Sequence, residues 1–110
     1  MLGKGQRGRA MLDTITVERT ETRVRPRRPR LWKVILLNDD FTPRRFVVRV
    51  LMAVFRMTES EADAVMLTAH MKGACVVAVY TREVADQKAK QATELGRDAG
   101  FPLTFTTEKE

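Results

Sequence analysis

The chain is expected to fold as an α+β domain, a two-layer sandwich in which a three-stranded sheet packs on three helices in the order β-α-α-β-α-β. Three observations predict it. Three short runs rich in strand formers, "LWKVILLN", "ACVVAVY" and "FPLTFT", are too brief for ordinary helices. Between them lie stretches with apolar residues at helical spacing, each opened by a threonine, and two of them closed by a glycine. The 110 residues, 44% of them hydrophobic, suffice for one modest core and would be cramped as two domains.

Each element carries its own signal. The first strand, residues 31–38, ends at Asn38, Asp39 and Asp40. Thr42 as N-cap and Pro43 in the first turn then predict a helix with Phe46, Val47, Val50, Leu51 and Val54 facing inward. Thr58 and Glu61 stand at the spacing of a capping box, ahead of a stripe formed by Ala62, Val65, Met66 and Ala69, and Gly73 supplies a stop. Residues 74–80 form the second strand. Thr81 is expected to cap a third helix running to about Ala99, with Gly100 ending it and residues 101–106 forming the third strand. A sheet this small leaves room for a shallow surface pocket but not for a deep enzymatic cleft.

Charge is unevenly placed. Residues 1–30 hold nine Lys and Arg against three Asp and Glu, whereas residues 31–110 hold eleven of each. The leader, ending "TRVRPRRPR", has too few apolar residues to offset the entropy of ordering, so residues 1–30 are expected to form a flexible basic extension and residues 31–110 the folded domain. Such an arm can bind nucleic acid through phosphates, which is the alternative function. The neutral domain speaks against it, lacking a basic face or interleaved aromatics, and Trp32 and Tyr80 are expected to be packing residues. No run approaches the roughly 20 apolar residues of a membrane span, and the N-terminus lacks the apolar stretch of a secretory signal. The single cysteine, Cys75, is expected to be buried and reduced. These features predict a cytoplasmic protein without a membrane partner, and a monomer is expected.

The polar cluster at the end of the first strand admits two readings. Asn and Asp favour turns, and acids are stabilised ahead of a helix start. A metal site fits poorly, because adjacent Asp39 and Asp40 point to opposite sides and His70 is the only histidine. His70 near the end of the second helix is accounted for by the helix dipole alone. No serine or cysteine stands ready as a nucleophile beside a base, so catalysis is not expected. Taken together, however, carboxylate, amide and imidazole beside an apolar hollow form the group needed to grip a protonated α-amino group and its attached side chain.

"VILLNDDFTPRRFVVRVL", "MLTAHMKG", "VYTREVADQKA" and "FPLTFTTEKE" resemble, in order and spacing, the ClpS adaptors of bacterial regulated proteolysis, over essentially all of residues 31–110. The resemblance implies a cofactor-free adaptor with no catalytic activity, which binds proteins bearing a bulky hydrophobic N-terminal residue (Leu, Phe, Tyr or Trp) and delivers them to the ClpA unfoldase of the ClpAP protease. It implies that Asn38, Asp39 and His70 bond the amino group and that Asp40 holds the peptide backbone. It further implies that Thr42, Arg44, Val47, Met66, Ala69 and Leu103 line the side-chain pocket, and that Glu83 and Lys88 touch the N-terminal domain of ClpA. By the same comparison the N-terminal extension serves delivery and not peptide binding.

Two positions depart from the family. Arg44 stands where Met usually guards the pocket rim, and Ala69 where Val is common. Met is a flexible apolar gap-filler, whereas Arg can lay its stem along the rim with its head in water and keep the screen, swing away and open it, or bond a carboxylate further along the substrate. These departures suggest a variant paralogue with altered selectivity. Burying a Leu or Phe side chain contributes about 1.5–3 kcal/mol, and each hydrogen bond to a charged group about 1.5–3 kcal/mol. Association costs roughly 4–15 kcal/mol, so neither half suffices alone.

Overall fold

The computed structural model describes residues 30–110. The extension expected over residues 1–30 lies outside the described residues, Arg30 excepted. The predicted order is the observed one: β1 (Leu31–Leu37), α1 (Arg44–Phe55), α2 (Glu59–Lys72), β2 (Ala74–Thr81), α3 (Arg82–Asp98) and β3 (Thr104–Lys109). The sheet runs β2-β1-β3 with both pairs antiparallel, so the first strand is the central one.

That placement explains the burial along β1. Side chains alternate across a strand, and Val34 and Leu36, with Trp32 beside them, face the helices. Leu36 is opposite Cys75 on one side and Phe105 on the other, and Trp32 is opposite Tyr80. Along β2 the partners jump from Ala78 opposite Val34 to Val76 opposite Ile35, so Val77 is an extra residue. This bulge inverts the parity of the strand. Cys75, Ala78 and Tyr80 thereby all reach the core side, where Val77 also packs.

The helices close over this face. Val47, Val48, Val50, Leu51, Val54 and Phe55 of α1 are buried, with Ala62 and Ala69 of α2 and Ala85, Ala89 and Ala92 of α3. The small residues of α3 allow it to lie close on the sheet. Thr93 clips α3 to β3 by accepting the Phe105 amide at 3.0 Å, and the Thr107 hydroxyl donates to Asp86 at 3.0 Å. Trp32 and Tyr80 pack as expected, with the Arg82 guanidinium 4.9 Å from the Trp32 ring.

Four expectations on local structure need correction. Thr42 is not the cap of α1: Pro43 occupies that position and no side chain makes the capping bond. The Thr42 hydroxyl is engaged by Asp39 instead. Thr81 does hold the N-cap position of α3, but its side chain makes no capping bond. The third strand begins at Thr104 and not at Phe101, because the Phe101 amide donates to Gly96 of α3 and Pro102 has no N–H to give a ladder. Cys75 is half-buried, not buried, on an edge strand. Burial still pushes its thiol pKa up, against a smaller opposing pull from Lys72, which leaves little thiolate at neutral pH.

The capping box forms as expected. The Thr58 hydroxyl accepts the Glu61 amide at 3.1 Å while Glu61 accepts the Thr58 amide at 2.9 Å, and Gly73 ends α2 in the left-handed conformation at φ 91°. Thr58→Ala removes half of this box, and the unfolding free energy is expected to fall by about 1 kcal/mol. Denaturant unfolding checks it, with an unchanged slope and a lower midpoint as the outcome.

Candidate functional site

The chain leaving β1 is shaped by one carboxylate. Asp39 Oδ1 accepts the amides of Phe41 at 2.9 Å and Thr42 at 2.7 Å, and the Thr42 hydroxyl lies 2.9 Å from both carboxylate oxygens. Short acidic side chains bond backbone two and three residues on, which is why this residue type suits the turn. Two amide donors occupy the lone pairs of Oδ1, so the hydroxyl proton is directed to Oδ2, which retains capacity for another donor. Thr42 is the one buried polar side chain among the described residues, 9% exposed, and this carboxylate satisfies it.

A second link sets the opposite wall. The Asn38 amide donates to the carbonyl of Gly73 at 3.0 Å, tying the end of β1 to the end of α2. The C-terminal half of α2, which carries Met66, Ala69 and His70, is thereby held beside the polar turn. His70 is exposed in the last turn of the helix.

Between these walls is a pocket of about 40 Å³. That is more than the roughly 10–15 Å³ needed by one water. Its lining includes the polar Asn38, Asp39, Thr42, Arg44 and His70 and the apolar Val47, Met66, Ala69 and Leu103. Two further lining residues, Leu36 and Leu37, were not anticipated, although their place directly before Asn38 was a usable signal. Asp40 is not in the lining and is exposed. Leu103 is almost fully buried and reaches the pocket floor from the segment before β3.

The elements converge for separate reasons. Val47 projects from the first turn of α1 because Pro43 accepts the amides of Phe46 and Val47 and starts the helix there. Leu103 approaches because Gly96 offers no side chain: a Cβ built at Gly96 would stand 2.7 Å from the Leu103 Cβ. Glu83 and Lys88 lie apart from the pocket lining, on α3. Glu83 is exposed in its first turn, while Lys88 is half-buried and donates to the Val54 carbonyl at 2.9 Å.

Chemically, the pocket offers an amide oxygen, a carboxylate oxygen and an imidazole nitrogen above an apolar floor. An ammonium has three N–H donors, and three acceptors of this kind can satisfy it. Among the described residues, no group of three or more His, Cys, Asp or Glu side chains is placed to hold a metal ion, and no helix is long and apolar enough to cross a membrane.

Comparison with known proteins follows the same lines. Residues 27–106 match the family described as ATP-dependent Clp protease adaptor protein ClpS. The chain is 58% identical over 100 residues to the ATP-dependent Clp protease adapter protein ClpS 1 of Bradyrhizobium diazoefficiens, covering 91% of this chain and 99% of that one. It is 52% identical to ClpS 2 of Mesorhizobium japonicum over the same shares. Among solved structures, it is similar to Agrobacterium tumefaciens ClpS2 bound to L-phenylalaninamide. That likeness has a TM-score of 0.74 and 61% identity, and covers 76% of this chain and all of that one.

Proposed function

The chain belongs to the ClpS family of Clp protease adaptors, and from that premise we propose that it binds proteins with a bulky hydrophobic N-terminal residue and delivers them to the ClpA unfoldase of the ClpAP protease. The family is one of adaptors and not of enzymes. One observation carries the reading: three acceptors suited to an ammonium and an apolar floor suited to a side chain share a single pocket. The similar Agrobacterium protein was solved with L-phenylalaninamide, a molecule that carries both groups.

In this reading Asn38, Asp39 and His70 bond the α-amino group. Thr42, Arg44, Val47, Met66, Ala69 and Leu103 enclose the first side chain, and Asp40, outside the pocket, holds the backbone that leaves it. Arg44, in place of the usual Met, retains the steric screen of the rim by laying its stem along it. Glu83 and Lys88 meet the N-terminal domain of ClpA. Lys88 does so from a tethered position, its bond to the Val54 carbonyl limiting how far it can extend.

Fluorescence anisotropy of otherwise identical peptides beginning with Leu, Phe, Trp, Ile or acetyl-Phe tests the reading. Leu and the aromatic starts are expected to bind saturably, and Ile more weakly because its branched Cβ meets the rim. Acetyl-Phe is expected not to bind, since acetylation removes the charge and leaves the acceptors unpaired. Equal affinity for Phe and acetyl-Phe would refute it.

A further inference from the structure

Beside the pocket lies a second, wider groove of about 400 Å³, lined by Pro43, Arg44, Arg45, Phe46, Arg49 and Phe101. Arg44 belongs to both walls, so the groove continues from the rim of the pocket. Three guanidinium groups line it. Arg44 and Arg45 occupy the first turn of α1, where there is no acidic residue, so the positive end of the helix is reinforced and not neutralised. Among the described residues no carboxylate lies within ion-pair distance of Arg44, Arg45 or Arg49; the one ion pair there joins Arg82 and Asp86. The groove also has an apolar wall, with the Phe46 and Phe101 rings packed edge to face at 5.0 Å. An arrangement that opposes the helix dipole, with no carboxylate partner among the described residues, is suited to an anionic ligand.

We propose that this groove receives the segment directly following the first residue of a bound N-terminus and selects acidic side chains there. The inference rests on the proposed function, because the occupant enters the groove from the pocket. Arg44 to Arg49 spans about 7.5 Å along the helix axis, the length of about two extended residues. Aspartate or glutamate at the second to fourth positions is therefore within reach, and planar guanidinium groups match carboxylates with paired N–H donors. Arg44 joins the groove to the pocket rim, so a chain leaving the pocket runs directly into it, which favours a peptide over a nucleic acid.

The test uses the full chain and three labelled peptides that all begin with free Phe and continue with Glu-Asp, Ala-Ala or Lys-Lys. At low salt the Glu-Asp peptide is expected to bind about three- to tenfold more tightly than the Ala-Ala peptide. The advantage should vanish near 0.5 M salt, where the Debye length falls to roughly 4 Å. Arg45→Ala with Arg49→Ala, neither of which lines the pocket, should remove the advantage and leave the Ala-Ala affinity unchanged. Equal or weaker binding of the Glu-Asp peptide would overturn the proposal, as would an advantage that survives in the double variant. Acetylated Phe-Glu-Asp binding as tightly as the free peptide would overturn it too, since the groove would then act apart from the pocket. If a single-stranded oligonucleotide bound through Arg45 and Arg49 while acidic peptides gained nothing, the groove would belong to nucleic acid. Failure of the Ala-Ala peptide to bind would sink the proposed function and this inference with it, whereas Ala-Ala binding without acidic preference would sink only the inference.

Discussion

Asp39→Ala is expected to abolish measurable binding of a peptide that begins with free phenylalanine. The substitution removes the only carboxylate in the pocket lining and, with it, a charge-assisted bond to the ammonium contributing about 1.5–3 kcal/mol. That alone is roughly 10- to 150-fold in affinity. It also frees the amides of Phe41 and Thr42 and strands the buried Thr42 hydroxyl, so the turn that positions Asn38 loses its organiser. Asp39→Asn separates the two effects. An amide oxygen still accepts from both backbone amides, while the charge and the second acceptor are lost. Binding is therefore expected to weaken at least tenfold with little change in melting temperature, whereas the alanine variant loses both binding and stability. Anisotropy and thermal unfolding on the same samples check this, and full affinity in the asparagine variant would show that the carboxylate charge is not used.

Gly96→Ala is expected to destabilise the domain, against the direction set by helix propensity. In a helix interior alanine is normally favoured over glycine by about 1 kcal/mol. Here the new Cβ would stand 2.7 Å from the Leu103 Cβ, with two further Leu103 atoms at 3.4 and 3.5 Å. The near atom sits directly on the backbone, so relief requires the loop before β3 to move. Overpacking of this kind costs about 1–3 kcal/mol, which outweighs the propensity gain by up to about 2 kcal/mol, a fall in melting temperature of up to roughly 10 °C for a domain this size. Leu103 lines the pocket floor, so its displacement should also weaken peptide binding. Gly100→Ala is the comparison. It strains a left-handed residue at φ 84° but meets nothing within 4 Å, so stability should fall modestly and peptide affinity should hold. A Gly96→Ala variant as stable as the parent, with unaltered binding, would show that the close approach is not required.

How far the residues foretold these features depends on whether the determinant was local. The Thr58–Glu61 box and the left-handed stop at Gly73 need only a few neighbouring residues, and both appear where the spacing put them. Thr42 is not the cap because two local rules compete for one hydroxyl. Threonine before a proline suggests a helix cap, but Asp39 three residues earlier takes the hydroxyl first. The α1 terminus carried no glycine, and the chain turns there with Arg56 at φ 58°. The bulge at Val77 could not be inferred from "ACVVAVY", in which every inner and outer position is apolar or small. Gly96 lies inside the predicted third helix, and no local pattern marks it, since its importance comes from Leu103 across a loop. Asn38, Asp39 and His70 stand out by their chemistry, whereas the apolar residues of the pocket follow from family resemblance and not from spacing. The arginines of "PRRFVVR" were visible as charges, but their juxtaposition with Phe101 needed the fold.

The claim on which the account rests is that this pocket holds an N-terminal residue by its amine and its side chain together. The most direct measurement is a titration of isotope-labelled full chain with L-phenylalaninamide, followed by amide chemical shifts, with N-acetyl-L-phenylalaninamide as the matched control. The account predicts saturable shifts concentrated in residues 36–47, 66–73 and 101–104 for the free amine, and none for the acetylated compound. Shifts confined to other surfaces, or equal responses to both compounds, would contradict it.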